Sequence, residues 1–557
     1  MTYTAQKDHR QSGRTLPGLG LALACSLALV GTSYTAAPAS SLERSAVCGG
    51  VEPDAHHHGQ VVDLGHRHAC EHLRTRTGPT SQDSLFGRVG AVVSTRVAVA
   101  RGVAAPASQV GRWSAARNPG TPTVGIAAVL LHTGQVLLLG DQVDAGANTS
   151  GYLYDPVTRT GHNLTAPAAI FCGSLTPLSD GRVLAVGGAD PNPRGIHDVW
   201  LFNPRTERWV EQTPMANGRY YPTSTRLADG RVVIAAGKQS DGVTSNPDVE
   251  VYTPPAPGSS LGSLRVVGGP HATTMYPHQL VMPDGRMLQL EETRSWVLNP
   301  ASWSWTRLRS HRLVGRGSAH LLLPGGPSGS HRVMLAGGRV GGLGQRMAQY
   351  FNYGRAGASW STGTPMPTRR AHMNLVQVPD GSAYGIGGNS TGLAADGQQR
   401  AMHYNPQTGR WRNLAAQSIR RAYHSTALLL PDGRIMSAGD NAAGGGRQRI
   451  DFFAPPYLFR GPRPKIASAP QRLRYGTPFA IRTRGARATR AVLMAPGATT
   501  HANEMNARHV PLRVTRTRSG LTATAPRANV APSGYYMLFV LTPDGVPSVA
   551  RWIRVTR

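Results

Sequence analysis

Cysteine is scarce in this chain, four in 557 residues, which excludes a scaffold held together by many disulfides. Lysine is almost absent: Lys7, Lys238 and Lys465 are the whole complement, so the formal charge of +30 is an arginine excess. Those arginines are scattered singly and no basic module interleaved with aromatics occurs, so nucleic acid is not an expected partner. A solvated basic surface, or association with anionic cell-envelope polymers, is what the charge leaves open. Long amphipathic helical patterns are also missing, which excludes a helix bundle. A single apolar run stands out, Leu16 to Val30, and it is short for a membrane span. It follows Lys7, Arg10 and Arg14 and leads into small residues through Ser40. That is the layout of a secretory signal over residues 1–40, cleaved near Ala36 or Ala37 or retained as an anchor, and a secreted or cell-surface protein is expected.

Glycine (66) and proline (42) are plentiful, and hairpin signals recur throughout, so an all-β chain of two or three domains is expected. The organising stretch is RAYHSTALLLPDGRIMSAGD, from Arg421 to Asp440: a β-rich run, a Pro-Asp-Gly turn and a second run ending in glycine. Four clear copies begin at Phe171, Tyr220, Tyr276 and Ala371, and two weaker ones at Gly125 and Ser318, which makes seven hairpins. Between them lie phrases such as DVWLFNPRTERW and MHYNPQTGRW, an aromatic followed by a Pro turn and a closing Trp. This kelch-like pattern predicts a seven-bladed β-propeller over residues 113–460. A Pro-rich joint, Gly461 to Pro464, then leads to short alternating strands over 461–557, a pattern that fits a small immunoglobulin-like sandwich.

Counting eight residues back from the turn aspartate of each clear copy gives Cys172, Tyr221, Tyr276, His372 and His424, with Tyr423 one step further. Equivalent positions of repeated strands occupy equivalent places, so these side chains are expected to converge. A thiol, phenols and imidazoles brought together suit metal and redox chemistry. Cys48 and Cys70 flank one local segment and are expected to pair in an oxidising compartment. If Cys25 leaves with the signal, Cys172 is then the odd thiol, either a small buried apolar residue or a reactive one. The irregular segment 41–112 carries His56, His57, His58, His66 and His68 without the spacing of a closed metal site. His501, in the turn-rich PGATTHANEMN, reads on its own as a surface loop residue.

Four motifs stand in order along the chain: Phe171-Cys172, Arg219-Tyr220-Tyr221, Tyr423-His424-Ser425 and Thr500-His501. With the phrases YHSTALLLPDGR, FFAPPYLF and GYYMLFVLTPDGVPSVARW, they resemble the copper radical oxidases over residues 113–557, closer to the glyoxal oxidase branch than to galactose oxidase. The resemblance implies copper held by Tyr221, Tyr423, His424 and His501, with a thioether between Cys172 and Tyr221 that carries a radical. Tyr423 would be the general base, and a small aldehyde or primary alcohol, or a glycan end, would be oxidised by dioxygen with release of hydrogen peroxide. A monomer is expected. Adjacent Tyr423 and His424 would face opposite ways on a regular strand, so an irregular backbone is expected at that strand's start. Tyr276, His372, Gln239 and Phe171 fall to the pocket wall. Gln239 stands where galactose oxidase stacks a tryptophan on its cross-linked tyrosine, and Ala502-Asn503 replaces a more usual hydroxyl residue after His501. The competing readings are a non-catalytic carbohydrate-binding propeller and a polyanion-binding structural protein.

Overall fold

The structure, a computed structural model, describes residues 105–557 apart from 116–122, 144–147, 257, 270–272, 274, 313–315, 392–395 and 441–447. The expectations for the N-terminal signal, for the Cys48–Cys70 pairing and for the His56–His68 segment lie outside the described residues. Among the described residues no helix is long and apolar enough to cross a membrane.

Each of the seven hairpins forms the two inner strands of a four-stranded unit. Ser174–Pro177, Val183–Val186, Val199–Asn203 and Arg208–Glu211 make one antiparallel sheet in that order, and the pattern repeats around an axis. The repeated turn explains the regularity. In the last copy, Asp432 Oδ1 accepts from the Arg434 amide at 2.9 Å and Oδ2 accepts from Arg434 Nε at 2.6 Å, while Gly433 takes φ 87°. Asp180/Arg182 and Asp229/Arg231 repeat the arrangement. An aspartate that bonds two residues on and a glycine in the left-handed region close the hairpin with local chemistry alone. The ring closes by pairing distant sequence: Arg112–Ala115 lies antiparallel to Asp451–Ala454 as the outer strand of the last blade, with Trp113 opposite Phe453. The expected fold, a seven-bladed kelch-type propeller followed by an immunoglobulin-like sandwich, is the fold found.

The sandwich has a four-stranded sheet built on Pro478–Gly485 and a five-stranded sheet built on Gly534–Leu541, closed over Leu493, Tyr536, Leu538 and Ile553. The outer face of the second sheet shares a core with the last blades, where Val492, Met494 and Phe539 meet Leu428, Met436 and Tyr457. From this domain a hairpin, Ala498–Thr500 and Asn503–Glu504, reaches into the propeller. Ala498–Thr500 pairs with Ala127–Leu130 and extends the first blade inward.

Three buried arginines stand just ahead of the register residues. Arg219 donates to Ala236 O (2.8 Å), Arg370 to Gly387 O (2.6 Å) and Arg421 to Gly439 O (2.6 Å), each tying the strand start to the far end of its own hairpin. Arg219 also forms a fully buried ion pair with Glu250 at 2.8 Å. Removing one partner of such a pair leaves an uncompensated charge, so Glu250→Ala is expected to cost about 3–5 kcal/mol. Asp180→Ala, which breaks the half-exposed Asp180–Arg182 pair, is expected to cost about 0–1 kcal/mol. Chemical denaturation of the two variants checks this, and equal shifts in midpoint would contradict it.

Candidate metal centre

The register residues meet on the axis because of their backbone. Cys172 (φ 55°), Tyr221 (63°), Tyr276 (47°), His372 (52°) and His424 (66°) all take the left-handed region immediately before their inner strands, and Gly317 (66°) does so at the start of the strand Arg316–Leu322. For residues with a Cβ this costs of order 1–3 kcal/mol each and persists only where the surroundings enforce it. Here they do. The Tyr221 amide donates to Cys172 O (3.2 Å), the Tyr276 amide to Tyr221 O (3.0 Å) and the His372 amide to Gly317 O (2.7 Å), stitching neighbouring blades together. At His424, Asp440 clamps the loop: its Oδ2 accepts from the Ala422 amide (2.7 Å) and its own amide donates to His424 O (2.9 Å). Gly439 beside it has no room for a Cβ, which would run into His424 O and Gly125 O. The left-handed turn at His424 brings its ring onto that of Tyr423, stacked at 3.9 Å, instead of sending the two to opposite faces.

His501 arrives from the other domain. It forms the tip of the inserted hairpin with Ala502, at φ 52° and 66°, the two positive values that a tight two-residue turn demands. Thr500 Oγ1 lies 2.6 Å from His501 Nδ1 and donates to Ile126 O (3.1 Å). With Nδ1 engaged there, Nε2 is the ring nitrogen turned to the centre, 3.5 Å from Cys172 Sγ.

One donor of each of Cys172, His424 and His501 lies within 4.8 Å of the other two, all buried. The Tyr221 and Tyr423 hydroxyls are 3.0 Å apart. The His501 ring stands edge-on to Tyr221 and Tyr423, each at 5.1 Å, and 4.4 Å from His424. Five sequence-predicted residues are therefore brought together from four separate parts of the chain. Burial pushes the Tyr220, Tyr221 and Tyr276 phenols and the Cys172 thiol well above their ordinary ranges; for the thiol a hydrogen bond from Tyr221 opposes the shift in part. Such a site holds phenolate only if a cation is present to stabilise it, and imidazole and phenolate oxygen are a donor set that suits Cu(II). The residues fit copper.

The predicted wall residues are placed as follows. Tyr276 lies 5.0 Å from both Tyr221 and His501, and its hydroxyl donates to Cys172 O (2.7 Å) and Gly173 O (2.9 Å). His372 meets Tyr423 edge-on at 4.7 Å and bonds Asn389 Oδ1 through Nδ1 (3.0 Å). Phe171 sits edge-on to His424 at 6.1 Å. Gln239 is partly buried in a turn closed by its amide bond to Thr244 O. The ring that lies on Tyr221 is Tyr220, at 4.0 Å, with its hydroxyl donating to the Tyr221 oxygen at 3.0 Å. Sequence reasoning gave no role to Tyr220 or Thr500. The only signal for either was its place beside a register residue or a motif histidine.

Known proteins are similar to this chain along most of its length. Residues 318–453 match the family model Glyoxal oxidase N-terminus, 463–555 match Galactose oxidase-like, Early set domain, and 171–216 match Kelch motif. Aldehyde oxidase GLOX of Vitis pseudoreticulata is 28% identical over 438 residues, covering 69% of this chain and 82% of that one. Galactose oxidase of Gibberella zeae is 26% identical over 507 residues, covering 81% and 72%. A fungal alcohol oxidase solved in complex with copper superposes with a TM-score of 0.70 at 22% identity, over 80% of this chain and all of that one, and so shares the fold. The chain thus carries the glyoxal oxidase N-terminal and galactose oxidase-like early set domains, and its similarity to aldehyde oxidase GLOX and galactose oxidase supports a copper-dependent oxidase.

Proposed function

We propose that this chain is an exported copper radical oxidase that converts small aldehydes or primary alcohols, with dioxygen, to the more oxidised carbonyl product and hydrogen peroxide. The observation that carries the reading is the convergence of Cys172, Tyr221, Tyr423, His424 and His501 in one buried centre. Tyr221, Tyr423, His424 and His501 would hold the metal. Copper there would supply Lewis acidity toward the substrate oxygen and one of the two redox equivalents that the oxidation needs.

The chain supplies the rest. Cys172 and Tyr221 belong to one buried cluster with Phe171 and Tyr220, which suits a thioether between the sulfur and the Tyr221 ring. A sulfur-substituted phenol loses an electron more readily than plain tyrosine and provides the second redox equivalent. Tyr423 accepts the hydroxyl proton of the alcohol, or of the hydrated aldehyde, as general base. Tyr221, in its one-electron-oxidised form, then takes the hydrogen atom from the substrate carbon. Tyr220 and Tyr276 flank that ring and exclude water from it. The N-terminal layout supports export, and the arginine excess is compatible with residence near an anionic envelope. Peroxide release by copper-loaded protein across a panel of aldehydes, primary alcohols and sugars tests the proposal. Silence across the panel, with copper bound, would return the chain to the binding-propeller reading.

A further inference from the structure

A second polar cavity lies away from this centre, where the propeller meets the C-terminal domain. Its volume is about 20 Å³, room for one small occupant of about water size, and it is lined among others by Arg226, Gln279, Glu504, Arg508 and Tyr536. Arg226 ends the strand Thr223–Arg226 and is 6% exposed. Its guanidinium lies over Gly534, where a Cβ would collide with it. Among the described residues its Nε has no hydrogen-bond partner. A buried guanidinium nitrogen left without a hydrogen bond is rare, because desolvating a charge without compensation is costly.

The neighbours deepen the deficit. Arg508 donates to Val281 O (2.9 Å), Val530 O (3.2 Å) and Asn529 O (3.4 Å), all neutral carbonyls. The two guanidinium groups repel one another, and among the described residues the carboxylate that acts on Arg226 is Asp180 rather than a lining residue. Glu504 is the carboxyl group in the lining, and its Oε1 is taken by the Ala498 (2.8 Å) and Asn506 (3.0 Å) amides. Even fully ionised, it leaves one positive charge unmatched in the cavity.

We propose that this cavity binds one small monovalent anion of about chloride size between Arg226 and Arg508. Arg226 belongs to the third blade, whereas Arg508 and Glu504 belong to the segment that follows His501. An anion there would tie the inserted hairpin to the propeller from the side away from the metal centre. The site is independent of the copper chemistry.

Wild-type protein crystallised with bromide is expected to show anomalous density in the cavity within contact distance of both guanidinium groups. In solution, replacing gluconate by chloride at constant ionic strength is expected to raise the wild-type Tm by a few °C, because a ligand of the folded state alone stabilises it. Arg226→Met is expected to lose that response. Bromide crystals with only water in the cavity would overturn the proposal, whether or not the variant folds. An Arg226→Met protein with an undiminished chloride response would do the same.

Discussion

His424→Ala and His501→Ala are each expected to abolish peroxide formation while leaving the propeller folded. The two imidazoles come from different domains yet their rings stand 4.4 Å apart, and each is fixed by its own backbone device, Asp440 at one and the tight hairpin tip at the other. Removing either takes away one of the donors that would hold the metal. The loss should therefore exceed the roughly 10–100-fold that follows when only an outer partner of a metal ligand is removed. Both devices bond main-chain groups and not the imidazoles, so the thermal midpoint should move little. Copper content per protein and peroxide rate, read beside circular dichroism, separate the two effects. A His501→Ala protein with full activity would detach the C-terminal domain from the chemistry.

The second large effect is expected at Tyr423. Tyr423→Phe keeps the ring that stacks on His424 and the edge contact with His372, and deletes the hydroxyl that lies 3.0 Å from the Tyr221 oxygen. Tyr221, His424 and His501 remain to hold copper. The step lost is proton acceptance from the substrate, for which a positioned base contributes about 10²–10⁴-fold. The turnover rate should fall by that order with copper content largely preserved. A Tyr423→Phe protein that keeps copper and turns over at the wild-type rate would remove Tyr423 from the role of base.

How much of this was legible in the sequence follows from which interactions are local. The Asp-Gly-Arg turn is closed by bonds between residues two apart, so seven hairpins could be counted and their register read back to Cys172, Tyr221 and His424. The irregular start of the last inner strand could be inferred because adjacent Tyr423 and His424 had to face one way. The shared left-handed turn in six blades could not, since it is enforced by amide bonds between blades, such as Tyr221 to Cys172 O. Likewise nothing periodic announces that Ala498–Thr500 pairs with Ala127–Leu130, with Ala127 opposite Thr500 and Val129 opposite Ala498. That pairing is what turns His501 from a loop residue into a member of the centre. Tyr220 was hidden for a related reason: which ring covers Tyr221 depends on the positive φ of Tyr221 itself, and Gln239 was the position that linear alignment pointed to. The Arg219–Glu250 pair is non-local too, joining distant residues through side chains alone.

The central claim, a redox centre built from Cys172 and Tyr221, is tested most directly by peptide mapping of protein expressed without copper and then given copper and dioxygen. Forming the thioether makes a bond from Cys172 Sγ to a ring carbon of Tyr221 and removes the thiol hydrogen and one ring hydrogen, with dioxygen as the oxidant. Separate peptides around Cys172 and Tyr221 are predicted before treatment. After treatment one joined peptide is predicted, lighter than their sum by two hydrogens and resistant to reductant. Cys172→Ala protein should still take up copper, give no joined peptide and lose most oxidase activity. Wild-type protein that binds copper, turns over substrate and stays unlinked would contradict the account.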